Sequence, residues 1–353
     1  MKPNLHFNKC LKMFLHFKQM GMYLCNSSLF LFCILVAFTC KSSVDNPQSG
    51  LNESSTQHDY LIDTLKVLCT QDQLQLVLHL KEAYQECHDE IPIEIALYEG
   101  VASEELLSQA GNDLILVSDL YSTFIPGAYC QINYARDGLV GIVHQSHPFY
   151  REILETGLGK QQLTLLLTGG NSDSWKQAAG YEQPREIKVF TGPDESMPCK
   201  KWVKFLGIEP ADLRMVATAS FQDMIDSVCK VPLSIGLCCS RHAYDQVTRK
   251  EIEGISVIRM DCNANGMLED KENFYADLDE LQRAIWLGKY PCHSYINYYI
   301  LAKGNPANML HLDFMKFVLT EGQQNLPAEG FIKLNTHTIQ GEIDKINRLQ
   351  AIL

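Results

Sequence analysis

Leu114-Ile115-Leu116-Val117-Ser118-Asp119 is the stretch on which the fold turns. Four apolar residues in a row, without polar alternation, describe a strand covered on both faces, and the run stops at a small polar pair. Working outward, similar strand segments recur. Leu65–Cys69 and Ile93–Tyr98 precede it, while Leu139–Val143, Ile187–Phe190, Leu233–Cys238, Ile255–Met260 and Tyr295–Ala302 follow. Helical patterns lie between them. Asp72 is placed to cap a helix with Leu74, Val77 and Leu78 on one face, and Gly100-Val101-Ala102-Ser103-Glu104-Glu105 turns into another. Residues 221–229, 278–287 and 306–320 also read as helices, and Ile343, Ile346, Leu349 and Ile352 predict a C-terminal helix (336–353) packed on the body. Strands alternating with helices predict an α/β fold.

The chain has 353 residues, 46% hydrophobic and 20% charged, which is ordinary globular composition. Its net charge is −12. Residues 1–40 hold Lys2, Lys9, Lys12 and Lys18 and no acid, so the remainder carries 26 basic against 42 acidic residues. An acidic body excludes non-specific nucleic-acid binding, which needs clustered cations, and disfavours adhesion to an anionic membrane surface.

Leu29–Thr39 is an apolar run of 11 residues behind those lysines. A bilayer span needs about 20, so residues 1–39 read as an export signal, started from Met1 or Met13. The run ends at Cys40, preceded by Ala37-Phe38-Thr39. This resembles a bacterial lipoprotein signal with Cys40 as the lipidated residue, although Phe38 and Thr39 replace the usual small residues. Ordinary signal-peptidase cleavage and a plain N-terminal anchor are the alternatives. Residues 40–60 hold too few apolar groups to order themselves and read as a flexible tether, leaving a lipid anchor as the membrane contact. Nine cysteines follow Cys40, none in a C-x-x-C pair, and most read as small buried hydrophobes.

Six segments in order carry a family resemblance. They are Leu114–Asp119; Ala135-Arg136-Asp137-Gly138-Leu139-Val140-Gly141-Ile142-Val143; Leu163 with Thr168-Gly169 and Trp175; Gly192-Pro193-Asp194-Glu195-Ser196; Ile235-Gly236; and Phe317–Gln324 followed by Gly330-Phe331-Ile332. Together, over roughly residues 62–335, they resemble the phosphate-type periplasmic solute-binding proteins of ABC transporters. The resemblance implies a type II periplasmic-binding-protein clamshell of two discontinuous lobes joined by hinge strands. Lobe 1 would take residues 61–143 and 243–335, and lobe 2 residues 144–242. It implies inorganic phosphate or a similar oxyanion in the cleft, an ABC permease as partner, no catalysis, and a place in the periplasm or cell envelope.

Carried over by position, Asp119 matches the carboxylate that accepts the proton of a protonated phosphate, and Ser118 precedes it. Ser196 matches the serine at a helix start and Asp194 the acid before it. Thr70 stands in the first loop (Cys69-Thr70-Gln71-Asp72), and Gly100, Ala102 and Ser103 stand in the second. Helix N-termini with free N–H groups suit such an anion. Other positions depart from the pattern. The arginine expected near Gly192 is missing, and Met197-Pro198 replaces Gly-Thr, so Pro198 offers no N–H. Asp72 and Glu99 would repel an anion if they faced the cleft. Arg136 either supports the strand between lobes or supplies a positive charge to the ligand.

Asp261-Cys262-Asn263-Ala264-Asn265-Gly266-Met267-Leu268-Glu269-Asp270-Lys271-Glu272 fits the twelve-residue calcium loop D-x-[DN]-x-[DN]-G-x₅-E at every fixed position. Asp261, Asn263 and Asn265 offer side-chain oxygens, Met267 a carbonyl, Glu269 an oxygen through water, and Glu272 a bidentate carboxylate. A strand enters and a helix from about Asp277 follows, so this is an isolated loop suited to a structural Ca²⁺ of modest affinity. Its alternative is a solvated Asn-Gly turn. Some phosphate-binding relatives resemble it here, with the same Asn273-Phe274-Tyr275 and Gly288-Lys289-Tyr290-Pro291 segments. His144 and His147 could form half a metal site but lack a third ligand, and Cys238-Cys239 reads as core.

Overall fold

β1 (Leu65–Cys69) sends Leu65, Val67 and Cys69 into the core, as the period of two requires. The computed structural model describes residues 64–98, 108, 110–111, 113–118, 129–169, 187–192, 196–213, 215–290, 295–304 and 308–353, excepting the side chains of 72, 169, 196–200 and 210. A 3₁₀ turn (Gln71–Gln73) leads from β1 into α1 (Leu74–Gln85). The cap expected from Asp72 is corrected: Asp72 lies inside this turn, which Thr70 and Gln73 cap. The Thr70 hydroxyl donates to Gln73 Oε1 at 3.0 Å. α1 buries Leu76, Val77, Leu80 and Tyr84, a stripe running to its last turn; Leu74 and Leu78 lie at its margin, half-buried.

The chain continues through β2 (Ile93–Leu97), β3 (Leu114–Ser118), β4 (Tyr129–His144), α2 (Tyr150–Glu155), β5 (Leu158–Gly159) and α3 (Lys160–Gly169). Next come β6 (Lys188–Thr191), α4 (Ser196–Leu206), β7 (Met215–Ala217), α5 (Phe221–Lys230), β8 (Ser234–Cys239) and α6 (Ser240–Ala243). Last are β9 (Ile255–Val257), β10 (Met260–Asp261), α7 (Leu278–Trp286), β11 (Tyr295–Lys303), α8 (Met309–Leu319) and α9 (Thr336–Gln350). In α9 Ile346 is fully buried and Ile339, Ile343 and Leu349 pack against the core. Ile352, expected to share that face, lies beyond the helix end and is exposed.

The sheet order is β2-β1-β3-β11-β4-β8-β6-β7, with β9 also on β4. β1, β2 and β3 run parallel, as do β6, β7 and β8. All five residues of β3 are buried, as its uninterrupted apolar run predicts.

β4 decides the architecture. The sequence marks only Leu139–Val143, yet the strand begins at Tyr129 and holds 16 residues, about 50 Å at ~3.3 Å per residue. Tyr129–Gly138 pairs with β11, and Leu139–Ile142 pairs with β8. Among the described residues the β1–β3–β11 group thus meets the β8–β6–β7 group through β4. β9 joins the His144 end of β4. Tyr244, Ile255, Val257, Phe274, Tyr275 and Tyr290 share an apolar cluster with Val140, Ile142, Phe190, Met224 and Val228.

Candidate ligand-binding site

The connections create two matching edges. From β1 the chain crosses to β2 on one side, and β3 then lies on the other. From β6 it crosses to β7, and β8 then lies on the other side. In a parallel α/β sheet, the crevice beyond the carboxyl ends of strands at such a reversal is where ligands bind. Thr70 follows β1 and Ser118 ends β3, so the structure brings these two expected residues to one edge. Tyr98 fixes that edge: its N–H donates to the Cys69 carbonyl at 3.1 Å and its hydroxyl to the Leu116 carbonyl at 2.7 Å. Ser118 is 3% exposed.

At the second reversal, β6 ends in Thr191, Gly192 follows, and α4 begins at Ser196. The backbone of Ser196 therefore opens a helix, as expected. Gly192 is required by close packing: a Cβ there would lie 2.4–2.8 Å from atoms of the Phe221 ring. Phe221 stacks on His242 with centroids 3.6 Å apart and planes at 12°. Asp119, Gly100, Ala102, Ser103 and Asp194, the side chain of Ser196, Cys40 and the signal and tether segments lie outside the described residues.

Arg136 is engaged within the sheet. Its Nε donates to Asn297 Oδ1 at 3.1 Å, its Cζ lies 4.8 Å from the Tyr295 ring centroid, and its backbone exchanges bonds of 3.0 and 2.8 Å with Ile332. The next residue, Asp137, was missed as a feature in its own right. It is completely buried, accepts from Ser240 Oγ at 2.6 Å and faces Arg241 Nε at 3.2 Å. Burial pushes its carboxyl up to about 6, against the opposing pull of Arg241. An acid entering an otherwise apolar run was the available signal.

The histidine pair serves local turns. His144 Nδ1 lies 2.5 Å from Ser146 Oγ, and His147 Nδ1 accepts from the Phe149 N–H at 3.1 Å. Burial lowers the His147 pKa to about 4. Cys238 and Cys239 are buried, and burial pushes the Cys238 thiol up.

In the loop 261–272, Asp261 and Glu272 are 3% and 4% exposed. Asp261 accepts from the N–H groups of Asn265 (3.3 Å) and Gly266 (2.7 Å). Glu272 accepts from Cys262 (3.1 Å), Asn263 (3.2 Å) and Glu269 (3.2 Å). Asn263 Oδ1 accepts from Asn265 and Asn265 Oδ1 from Met267. Gly266 turns the chain at φ +79°. Asp261 is also held by pairing of β10 with β5. Among the described residues no three His, Cys, Asp or Glu side chains converge. The loop's donors are instead two carboxylates, two amide oxygens and a carbonyl, an all-oxygen set that fits a hard cation. Glu269 is turned towards Asn263 Nδ2 (2.6 Å) and Lys271 Nζ (2.8 Å).

The chain belongs to the PBP superfamily: the family model described as the PBP superfamily domain matches residues 54–321. No curated protein sequence matches it. Among solved structures it is similar to an ABC-type phosphate transport receptor from Vibrio cholerae, with a TM-score of 0.55 and 18% identity over 76% of this chain and 99% of that one. It is also similar to a putative phosphate ABC transporter substrate-binding protein with bound phosphate from Clostridium perfringens, with a TM-score of 0.54 and 16% identity over 77% of this chain and 100% of that one. These likenesses establish the fold as the two-lobed periplasmic-binding-protein clamshell. Among the described residues no helix is long and apolar enough to cross a membrane.

Proposed function

We propose that this protein is an extracytoplasmic solute-binding protein that takes phosphate or a related oxyanion into the interlobe cleft and passes it to an ABC permease. The observation that carries the reading is the pair of sheet reversals, which put Thr70 and Ser118 on one edge and the start of α4 on another. Family membership and the two phosphate-receptor folds support it. Asp119 follows Ser118 and accepts the ligand proton, N–H groups opening α4 and the Ser196 hydroxyl hold the oxygens, and Asp194 is the acid before that serine. Gly100, Ala102 and Ser103 complete the first lobe's contacts. Closure about β4 then excludes water. Cys40 carries the lipid, and residues 41–60 tether the body at the envelope. The role is binding and delivery, with no reaction catalysed.

Loop 261–272 holds one Ca²⁺ through Asp261, Asn263, Asn265, the Met267 carbonyl and Glu272, with Glu269 acting through water. The bound ion would supply the positive charge that offsets the buried Asp261 and Glu272 carboxylates and would cross-link the two ends of the loop.

Calorimetric titration of phosphate into protein stripped of bound anion tests the reading. Micromolar or tighter binding is expected, and Asp119→Asn should weaken it by roughly tenfold or more, since the ligand proton then meets a neutral amide in place of a carboxylate. Absence of heat from folded protein would replace transport with the second reading, a clamshell sensor of another ligand or partner. The sequence at Met197-Pro198, with no N–H at Pro198, favours that alternative.

A further inference from the structure

Asp137, Ser240 and Arg241 are 0%, 0% and 8% exposed. The Ser240 hydroxyl and the N–H groups of Gly138 and Arg241 serve the Asp137 carboxylate, and the Arg241 guanidinium faces it. Arg241 Cζ also lies 4.5 Å from the Phe331 ring centroid and 5.6 Å from that of Tyr298. One ion pair thus fastens β4 to the β8–α6 junction, to β11 and to the segment at Phe331.

Its location is particular. Asp137 and Gly138 make the last pairings with β11, opposite Ile296 and Tyr295, and Leu139 opens the ladder with β8 opposite Cys239. The charges sit where β4 changes partners. The same short helix carries His242, stacked on Phe221, whose ring covers Gly192 ahead of α4. Buried ion pairs are weak sources of stability compared with apolar packing, and their best-attested value is in fixing one arrangement among alternatives.

We propose that Asp137, Ser240 and Arg241 form the pivot of the clamshell, anchoring β4 while the sheets on either side rotate, and so set the balance between open and closed forms. Through His242 and Phe221 the same anchor positions the Gly192 turn. This rests on the solute-binding reading above. The three side chains are positioning residues: the Ser240 hydroxyl and the Arg241 guanidinium are turned to Asp137, and Arg241 to the Phe331 and Tyr298 rings.

The test compares wild type, Asp137→Asn, Arg241→Lys and Leu312→Ala, all as the full chain. Leu312 is fully buried in α8 and serves as a packing control for general destabilisation. Hydrogen exchange at residues 136–141 and phosphate affinity are read together. Asp137→Asn should speed that exchange about tenfold beyond a control of equal melting loss and shift phosphate affinity about fivefold or more. Arg241→Lys, which keeps the charge, should fall between wild type and Asp137→Asn. Equal behaviour of Asp137→Asn and the control would overturn the pivot. If wild type takes up no phosphate, the solute-binding reading fails while the exchange comparison still decides the pivot. If Asp137→Asn does not fold, Ser240→Ala carries the same comparison.

Discussion

The Tyr290 hydroxyl donates to the Leu139 carbonyl at 2.6 Å, across 151 positions of sequence. Leu139 is the first residue of β4 on the β8 side, so this bond ties Tyr290 to the crossing. Tyr275 extends the attachment, its hydroxyl accepting from the Met260 N–H at 3.0 Å. Tyr290→Phe should keep the packing and lose about 1–2 kcal/mol. Thermal melts check this, and an unchanged midpoint would show that the bond contributes nothing net.

Gly192→Ala should destabilise by about 1–3 kcal/mol, because the new methyl meets the Phe221 ring. Adding Phe221→Leu should recover part of the loss. A double-mutant cycle measured by denaturant unfolding reads the coupling, and strict additivity would contradict it.

Two buried groups give opposite pH responses. Asp137 has its carboxyl raised from 3.8 to about 6, so its contribution to stability is full below 3.8 and is lost as pH rises through about 6. His147 is lowered from 6.5 to about 4, so its contribution is full above 6.5 and is lost as pH falls through about 4. Between pH 4 and 6 they oppose each other. Asp137→Asn should therefore expose a fall in stability on acidification, and His147→Gln should expose a rise. Unfolding free energies at pH 4.5, 5.5 and 6.5 decide the signs.

Chelation should lower the melting temperature of the wild type, and saturating Ca²⁺ at about 100 times its dissociation constant should restore about 2.7 kcal/mol. Glu272→Gln should melt lower and respond to neither treatment. A wild type indifferent to chelator removes the ion from the loop.

Much of the fold was legible. β1 was placed to the residue, and β3, β6 and β8 to within one or two, because apolar residues either run together, as in β3, or recur with the strand's period of two, as in β1. The first half of β4 was not legible: Tyr129-Cys130-Gln131-Ile132-Asn133 mixes polar residues, and its strand form comes from β11, more than 160 positions away. Asp261, Asn263, Asn265, Gly266 and Glu272 could be read from spacing alone because one continuous loop holds them. The Asp137–Arg241 pair could not, since it depends on two distant segments meeting.

The place of β11 between β3 and β4 has a consequence for biogenesis. A chain emerging from its amino end presents β3 and the first half of β4 with no strand between them until residues 295–303 arrive. Completing that sheet is an insertion event, antiparallel to both neighbours, and it closes a very long loop. Until then the open edges of β3 and β4 are templates for wrong pairing. Truncation before Tyr295 would therefore leave a molecule with two exposed seams, prone to self-association, rather than a smaller binding protein.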